Sequence, residues 1–301
     1  EAGGKEWHEA MQWAISEADR LGIAFGLSVD FGYGSGGLHI RPDLSMQQLV
    51  WSETEVQGGR PVTLRLEKPA VDYRSGLEKV WLRPGRVMNP VVTKAMEEVD
   101  SYRDVAVLAV PTPKNTASHI GDLENYDGRG WKTNLPPLSN NRRLIPLARK
   151  DVIDISDRMH DNGELRWEAP KGRWTVIRLG YASNFKMTRP SPHADVGLEC
   201  DRLHQRGIDA HFEHRLKPIL DAAGEKAGRT LQYVHIDSWE AHGQNWTAGF
   251  AEEFRKRRGY DIRPWLAVLT GRAVESRETT ERFLWDLRQT VSEVTLANYI
   301  D

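Results

Sequence analysis

Apolar positions along the chain follow two rhythms that alternate by region. Trp7, Met11, Ile15, Ala18 and Leu21 recur at helical spacing, and Gly22 is placed as the stop. The apolar run "IAFGLSV" that follows is expected as a buried strand. From residue 45 to about 182 the texture changes to short β-rich segments, "LVWSETEV", "PVTLRLE", "DVAVLAV", "LRWEA" and "WTVIRLGY", punctuated by Pro and Gly. This is the pattern of an antiparallel sandwich or jelly roll, with "WEAPKGRWTVIRLGY" read as two strands around a Pro-Lys-Gly turn. From about 183 the helix–strand alternation returns. Ile208, Phe212, Leu216 and Leu220 fit one helix, "LQYVHID" a strand, and Trp246, Phe250 and Phe254 one face of a second helix. A last helix starts near Ser276 with Phe283, Leu287, Val291 and Val294 in register. The simplest account is an α/β domain interrupted by a β-rich insertion, with 1–44 as its first part, 45–182 as the insertion and 183–301 as its continuation.

Composition narrows the partners. The 301 residues carry 28% charged side chains and a net charge of −2, which gives no reason to expect nucleic acid or an anionic membrane. No apolar run approaches the roughly 20 residues that span a bilayer. A single cysteine, Cys200, excludes an internal disulfide framework and a cysteine-based zinc site. The 11 tryptophans are many for this length; most are expected in cores, but Trp also offers the flat apolar face that stacks on a sugar. The start "EAGGKEW" and the end "ANYID", within a helical pattern, read as those of an internal fragment of a longer protein.

"VDFGYGSGG" places Gly32, Gly34 and Gly37 in G-x-G-x-x-G spacing after a strand-like run. A dinucleotide loop needs a helix immediately afterwards to receive the pyrophosphate. Here "LHIRPDLSMQQLV" follows, interrupted by Pro42, and no helix is expected. The alternative use is a loop that lets backbone approach a ligand closely, with Asp30 and Ser35 offering oxygen contacts; Asp30 also reads as a plain turn residue.

The densest chemistry lies in "YVHIDSWEAHGQNWT", residues 233–247. A buried strand is expected to run into His235, Asp237, Trp239 and Glu240, then into a polar loop with Asn245 and a helix. In α/β barrels functional side chains sit at such strand ends. A partly desolvated carboxyl beside an aromatic suits protonation of a glycosidic oxygen. Glu240 is the candidate general acid; Asp237 is its orienter, a sugar ligand or a ligand for a hard cation such as calcium. The plainer reading makes Asp237 a turn cap and Glu240 a solvated loop residue. In "GLECDRLH", Glu199 and Asp201 share a face if the segment is extended, whereas Asp201 is otherwise expected as the N-cap of the next helix. His8, His39, His193, His204 and His242 are scattered, so no histidine metal cluster is expected.

Several segments together, "SEADRLGIAFGL", "GYGSGG", "LVWSETEVQGG", "YRDVAVLAVP", "GLECDRL", "HIDSWE", "QNWTAGFAEEFRKRRGYDIRPWLAVLTGR" and "RFLWDLRQT", resemble glycoside hydrolase family 106, the α-L-rhamnosidases, in order and over almost the whole chain. The resemblance implies an incomplete (β/α)8-type barrel with a β-rich insertion, calcium at the sugar site and inversion at the anomeric carbon. It implies a bacterial enzyme, periplasmic or secreted, that removes terminal L-rhamnose from plant glycans or glycosides. Glu240 matches the family's general acid and Asp237 an important aspartate of the same motif. Asp30, Ser35, His235, Trp239 and Asn245 are the expected sugar-contacting residues. The general base is expected downstream of Asp301. Two other expectations stand beside this one: a glycosidase for another sugar, and a non-catalytic carbohydrate binder.

Overall fold

The computed structural model describes residues 4–28, 34–71, 101–113, 145–188, 196–237 and 243–300. In chain order its strands are β1 (Phe25–Ser28), β2 (Gly36–Gly37), β3 (Gln47–Gln57), β4 (Pro61–Arg65), β5 (Arg103–Pro111), β6 (Ile153–Asp154), β7 (Glu164–Glu168), β8 (Arg173–Ser183), β9 (Leu198–Glu199) and β10 (Leu231–His235). Its α-helices are α1 (Lys5–Leu21), α2 (Gln205–Arg215), α3 (Lys217–Ala223), α4 (Phe250–Arg258) and α5 (Arg277–Ile300). The fold is mixed α/β, and none of the sheets among the described residues closes into a barrel.

The apolar stripe expected over residues 7–21 forms α1. Ile15 and Ala18 are buried, and Gly22 ends the helix in the left-handed conformation, φ 66°, returning its N–H to Ala18 and Asp19. β1 and β10 pair in parallel, from Phe25 opposite Leu231 to Ser28 opposite His235. Ile15, Leu27, Leu216, Ile219, Ala223 and Leu231 pack into one cluster that joins this pair to α1 and α3.

The β-rich part is organised around the sheet β3-β8-β5-β6, with β4 and β7 forming a second, two-stranded layer. Side chains alternate across a strand, so one run can serve two cores. In β5, Ala106, Leu108 and Val110 face Phe250, Phe254, Trp265, Leu266, Phe283 and Leu287, while Val107 and Ala109 meet Leu165, Trp167 and Val176. That double duty is why "DVAVLAV" is apolar almost throughout. The Pro-Lys-Gly turn carries the chain between layers, because β7 pairs with β4 and β8 with β3 and β5. Trp167, Trp246 and Trp265 serve cores, whereas Trp13 and Trp285 are exposed.

Three expectations need correction, and one element was not foreseen. "IAFGLSV" and "LQYVHID" are not buried strands: in β1 only Leu27 is buried, and Tyr233 and Val234 of β10 are 61% and 47% exposed. Among the described residues these two strands pair only with each other, which leaves their outer sides uncovered. The single helix over 208–220 is two, α2 and α3, joined at Leu216. Pro218 lacks a backbone donor and its ring opposes the carbonyl four residues earlier, so the ladder breaks there. The helix after "WTAG" begins only at Phe250, while Trp246 bridges to Gln47; the ring still packs 5.2 Å from Phe250. Finally, "RPWLAVLT" forms a buried 3-10 segment, Arg263–Thr270, that no periodicity announced.

The chain also assembles histidines that are far apart in sequence. His39 stacks on His214 with ring centroids 4.0 Å apart, and its Nε2 lies 3.4 Å from His211 Nδ1. Burial, with His214, His211 and Arg215 alongside, pushes His39 down to about 3. A histidine held neutral in this way contributes stability above its unfolded value near 6.5, and that contribution is lost as pH falls toward 3. Melting temperatures measured from pH 7.5 to 4 are therefore expected to fall less steeply for His39→Gln than for wild type. Parallel curves would show that the cluster does not set acid sensitivity.

Candidate functional site

Two neighbouring strand ends define the candidate site. Ser28 and His235, the paired last residues of parallel strands, point the chain out of the same end of the pair. Residues 29–33 leave from Ser28 and residues 238–242 follow Asp237. Asp30, Trp239 and Glu240 lie in these segments, outside the described residues. His235 Nε2 and Asp237 Oδ2 stand 4.0 Å apart at the strand end, with His235 largely exposed.

The described residues that follow these segments, 34–37 and 244–247, meet at one buried junction, built on residues 197–202. Its backbone is bonded by three separate stretches of chain. Glu199 N donates to Lys186 O, Met46 N to Glu199 O, Cys200 N to Ser35 O and Asp201 N to Leu44 O. The glycine-rich loop supplies one of these stretches, and its composition now has a physical cause. β2 lies against β9, Gly36 opposite Glu199 and Gly37 opposite Leu198. A Cβ on Gly36 would sit 2.1 Å from Leu198 O, and one on Gly197 2.0 Å from Gly37 C. A Cβ on Gly34 would sit 1.9 Å from Glu199 Oε1. These glycines let backbone approach backbone, and they make room for the Glu199 carboxylate.

Glu199 and Asp201 are both buried, and each has its own partners. Glu199 pairs with the equally buried Arg202 at 3.3 Å. Asp201 does not cap the next helix, as one reading of the sequence had it: the N-cap of α2 is His204, whose side chain accepts from Arg206 N. Asp201 instead accepts from Leu203 N at 3.0 Å, from Gln244 Nε2 and from Thr247 Oγ1. Burial pushes its carboxyl up to about 7, against the opposing pull of the Thr247, Gln244 and backbone donors. Asp201 also lines a cavity of about 180 Å³ with Asp43, Arg103, Tyr181 and Arg206.

Residues 244–247 are locked on several sides. Gln244 Oε1 accepts from Arg202 N at 3.2 Å, and Asn245 Oδ1 accepts from Leu49 N at 2.9 Å. Asn245 is buried by that bond, and Ser35 is fully buried with its hydroxyl 2.8 Å from Tyr299 Oη. The structure thus brings Ser35 and Asn245 to the junction and leaves His235 and Asp237 at the strand end. Arg202, Gln244 and Thr247 went unnoticed in the sequence; the only signal was polarity beside Trp246 for Gln244 and Thr247, and two neighbouring carboxylates for Arg202. No group of three or more His, Cys, Asp or Glu side chains among the described residues is arranged to hold a metal ion. The calcium implied by the resemblance therefore finds no ligand set in these residues.

The model of glycoside hydrolase family 106, described as alpha-L-rhamnosidase, matches residues 2–301. The chain belongs to this family. A relative from Formosa agariphila, provisionally named a beta-glucuronidase, is 33% identical over 302 residues, covering 98% of this chain and 23% of that protein. A solved rhamnosidase from Novosphingobium sp. PP1Y shares the fold, with a TM-score of 0.71 at 22% identity over 97% of this chain and 39% of its own. The chain spans about a quarter of the curated relative and about two fifths of the solved one.

In this α-L-rhamnosidase family member the β2–β9 approach is open to a direct test. The Cβ of Gly36→Ala would press on backbone, which moves only if the two strands separate. Overpacking of this kind costs about 1–3 kcal/mol. Thermal unfolding is expected to show a lowered midpoint. An unchanged midpoint would mean that the strands are not pressed together.

Proposed function

We propose that the protein hydrolyses terminal α-L-rhamnosides with inversion, Glu240 acting as general acid and Asp237 orienting it or binding the sugar. The observation that carries this reading is the family match across residues 2–301. The strand ends support it: in sequence, residues 29–33 and 238–242 come directly after the C-terminal ends of two parallel strands, where α/β barrels carry their chemistry. On this reading β1 and β10 belong to a (β/α)8-type barrel, and 45–182 is a β-rich insertion into it. An inverting enzyme needs a second carboxylate, roughly 6.5–9.5 Å from the acid, to activate water. That base is assigned downstream of Asp301, and calcium at the sugar site is kept as part of the proposal.

Glu240 protonates the departing oxygen, so its importance scales with how badly that oxygen leaves. In the full-length protein, Glu240→Gln is expected to lower kcat about 10²–10⁴-fold on a rhamnoside with a poor leaving group. The loss on p-nitrophenyl rhamnoside should be much smaller. Near wild-type turnover of both would remove Glu240 from the role.

The name of the Formosa relative favours a second reading, hydrolysis of a β-glucuronide. An aryl β-glucuronide assayed beside the rhamnoside separates the two, and cleavage of the glucuronide alone would replace the sugar assignment. Rhamnoside hydrolysis is further expected to fall on chelation and to return with added calcium. Full activity after exhaustive chelation would strike calcium from the proposal.

A further inference from the structure

The cavity of about 180 Å³ beside Asp201 lies at the seam between the β-rich part and the α/β part. One wall is the end of the sheet. Tyr181 of β8 stands directly opposite Arg103 of β5 and Leu49 of β3, so these side chains share a face. Tyr181 packs against the core that contains Leu49, and its hydroxyl makes no hydrogen bond among the described residues. The other wall is the first turn of α2, with Arg206 and Gly207. Gly207 lets that turn press onto the Asp201 backbone: a Cβ there would sit 2.3 Å from Asp201 O.

The charges around this space are unevenly engaged. Asp43 already accepts from Arg41, at 3.0 and 2.8 Å. Asp201 accepts from Leu203 N, Gln244 and Thr247, which uses three of the roughly four lone-pair positions of a carboxylate. Arg206, in contrast, is exposed and makes no ion pair or side-chain hydrogen bond among the described residues. Its charge helps to hold both Asp43 and His204, two further lining residues, below their ordinary values, which places it over the cavity. Arg103, exposed on the facing wall, gives Nη1 to a neutral acceptor, Tyr102 O, at 2.7 Å. Burial raises the Tyr181 hydroxyl, with Arg103 opposing and Asp201 adding, so Tyr181 stands between the two.

We propose that this cavity binds a small hydroxylated monocarboxylate, a sugar acid of one ring, with its carboxylate between Arg103 and Arg206 and its hydroxyls toward Tyr181 and Asp201. Guanidinium groups from two walls suit a planar anion. Two carboxylates in the same lining disfavour a dianion such as phosphate, and the last acceptor position of Asp201 suits a hydroxyl donor. The volume lies below the roughly 300–1,000 Å³ of sites for drug-sized ligands, which limits the occupant to about one ring. The strand-end residues His235 and Asp237 do not line this cavity, and the inference stands whether or not Glu240 is the acid.

The test is isothermal titration of the full-length protein with glucuronate, repeated with glucose and with inorganic phosphate. Glucuronate is expected to bind, and the neutral sugar and phosphate at least about 10-fold more weakly. Its affinity should fall as sodium chloride is raised, because both arginines are exposed to screening. Arg206→Gln and Arg103→Gln, substitutions at exposed positions, should each weaken glucuronate about 10-fold, and Tyr181→Phe by less. Thermal midpoints without ligand check that each variant is folded. No heat of binding from folded wild type at millimolar glucuronate would overturn the inference, as would equal binding of glucose or phosphate. Glucuronate binding that none of the three variants moves would also overturn it, and would place that ligand elsewhere on the protein.

Discussion

Residues 197–202 cannot be in place unless three other stretches of chain are. A buried extended segment must satisfy its backbone donors and acceptors, and here the partners come from Ser35, from residues 44–46 and from residues 186–188. Its side chains add the same demand in a costlier form. A buried Glu199 and a buried Arg202 are tolerable only together, since removal of either leaves a charge stranded away from water. Asp201 then recruits Gln244 and Thr247. The junction is thus a set of mutual requirements, and residues 34–37 and 244–247 are both tied to it.

Local pattern made much of the fold legible. α1 and α5 follow from apolar spacing, and the β-rich texture of 45–182 follows from short alternating runs between Pro and Gly. Burial was misjudged where the answer depended on what covers an element. β10 reads as a core strand because "LQYVHID" is apolar, yet Tyr233 and Val234 face outward. Composition tells what a strand is able to bury, and only its neighbours determine what it does bury. The break at Leu216 was signalled by Pro218 and outvoted by the apolar repeat.

At the site, what sequence could offer was the residue types and their order. "GYGSGG" and "GLECDRLH" stood out separately, but nothing local says that the first exists to press against the second. Asn245 was singled out as a sugar contact, and its Oδ1 accepts from Leu49 N, almost two hundred positions away. His39 was counted among scattered histidines, and His211 and His214 were not singled out, because spacing cannot see a stack formed between a turn and a helix face. In each case the missing information is the same: a partner distant in sequence, brought close by topology.

The ladder between β3 and β8 bears on how such distant partners meet. It begins at Gln47 opposite Ser183, so the β-rich part enters and leaves the rest of the chain at adjacent points. Once that ladder has zipped, well over a hundred residues no longer separate Met46 from Asn184, whose N–H donates to Met46 O at 2.9 Å. Joining distant segments costs entropy that grows with the loop to be closed. Prior folding of the β-rich part converts the longest closure in the junction into a short one. The register of a single strand pair thereby shortens the gaps between residues 35–46 and residues 184–201: with that ladder in place, the glycine segment and the Glu199 segment are near neighbours along the connected chain.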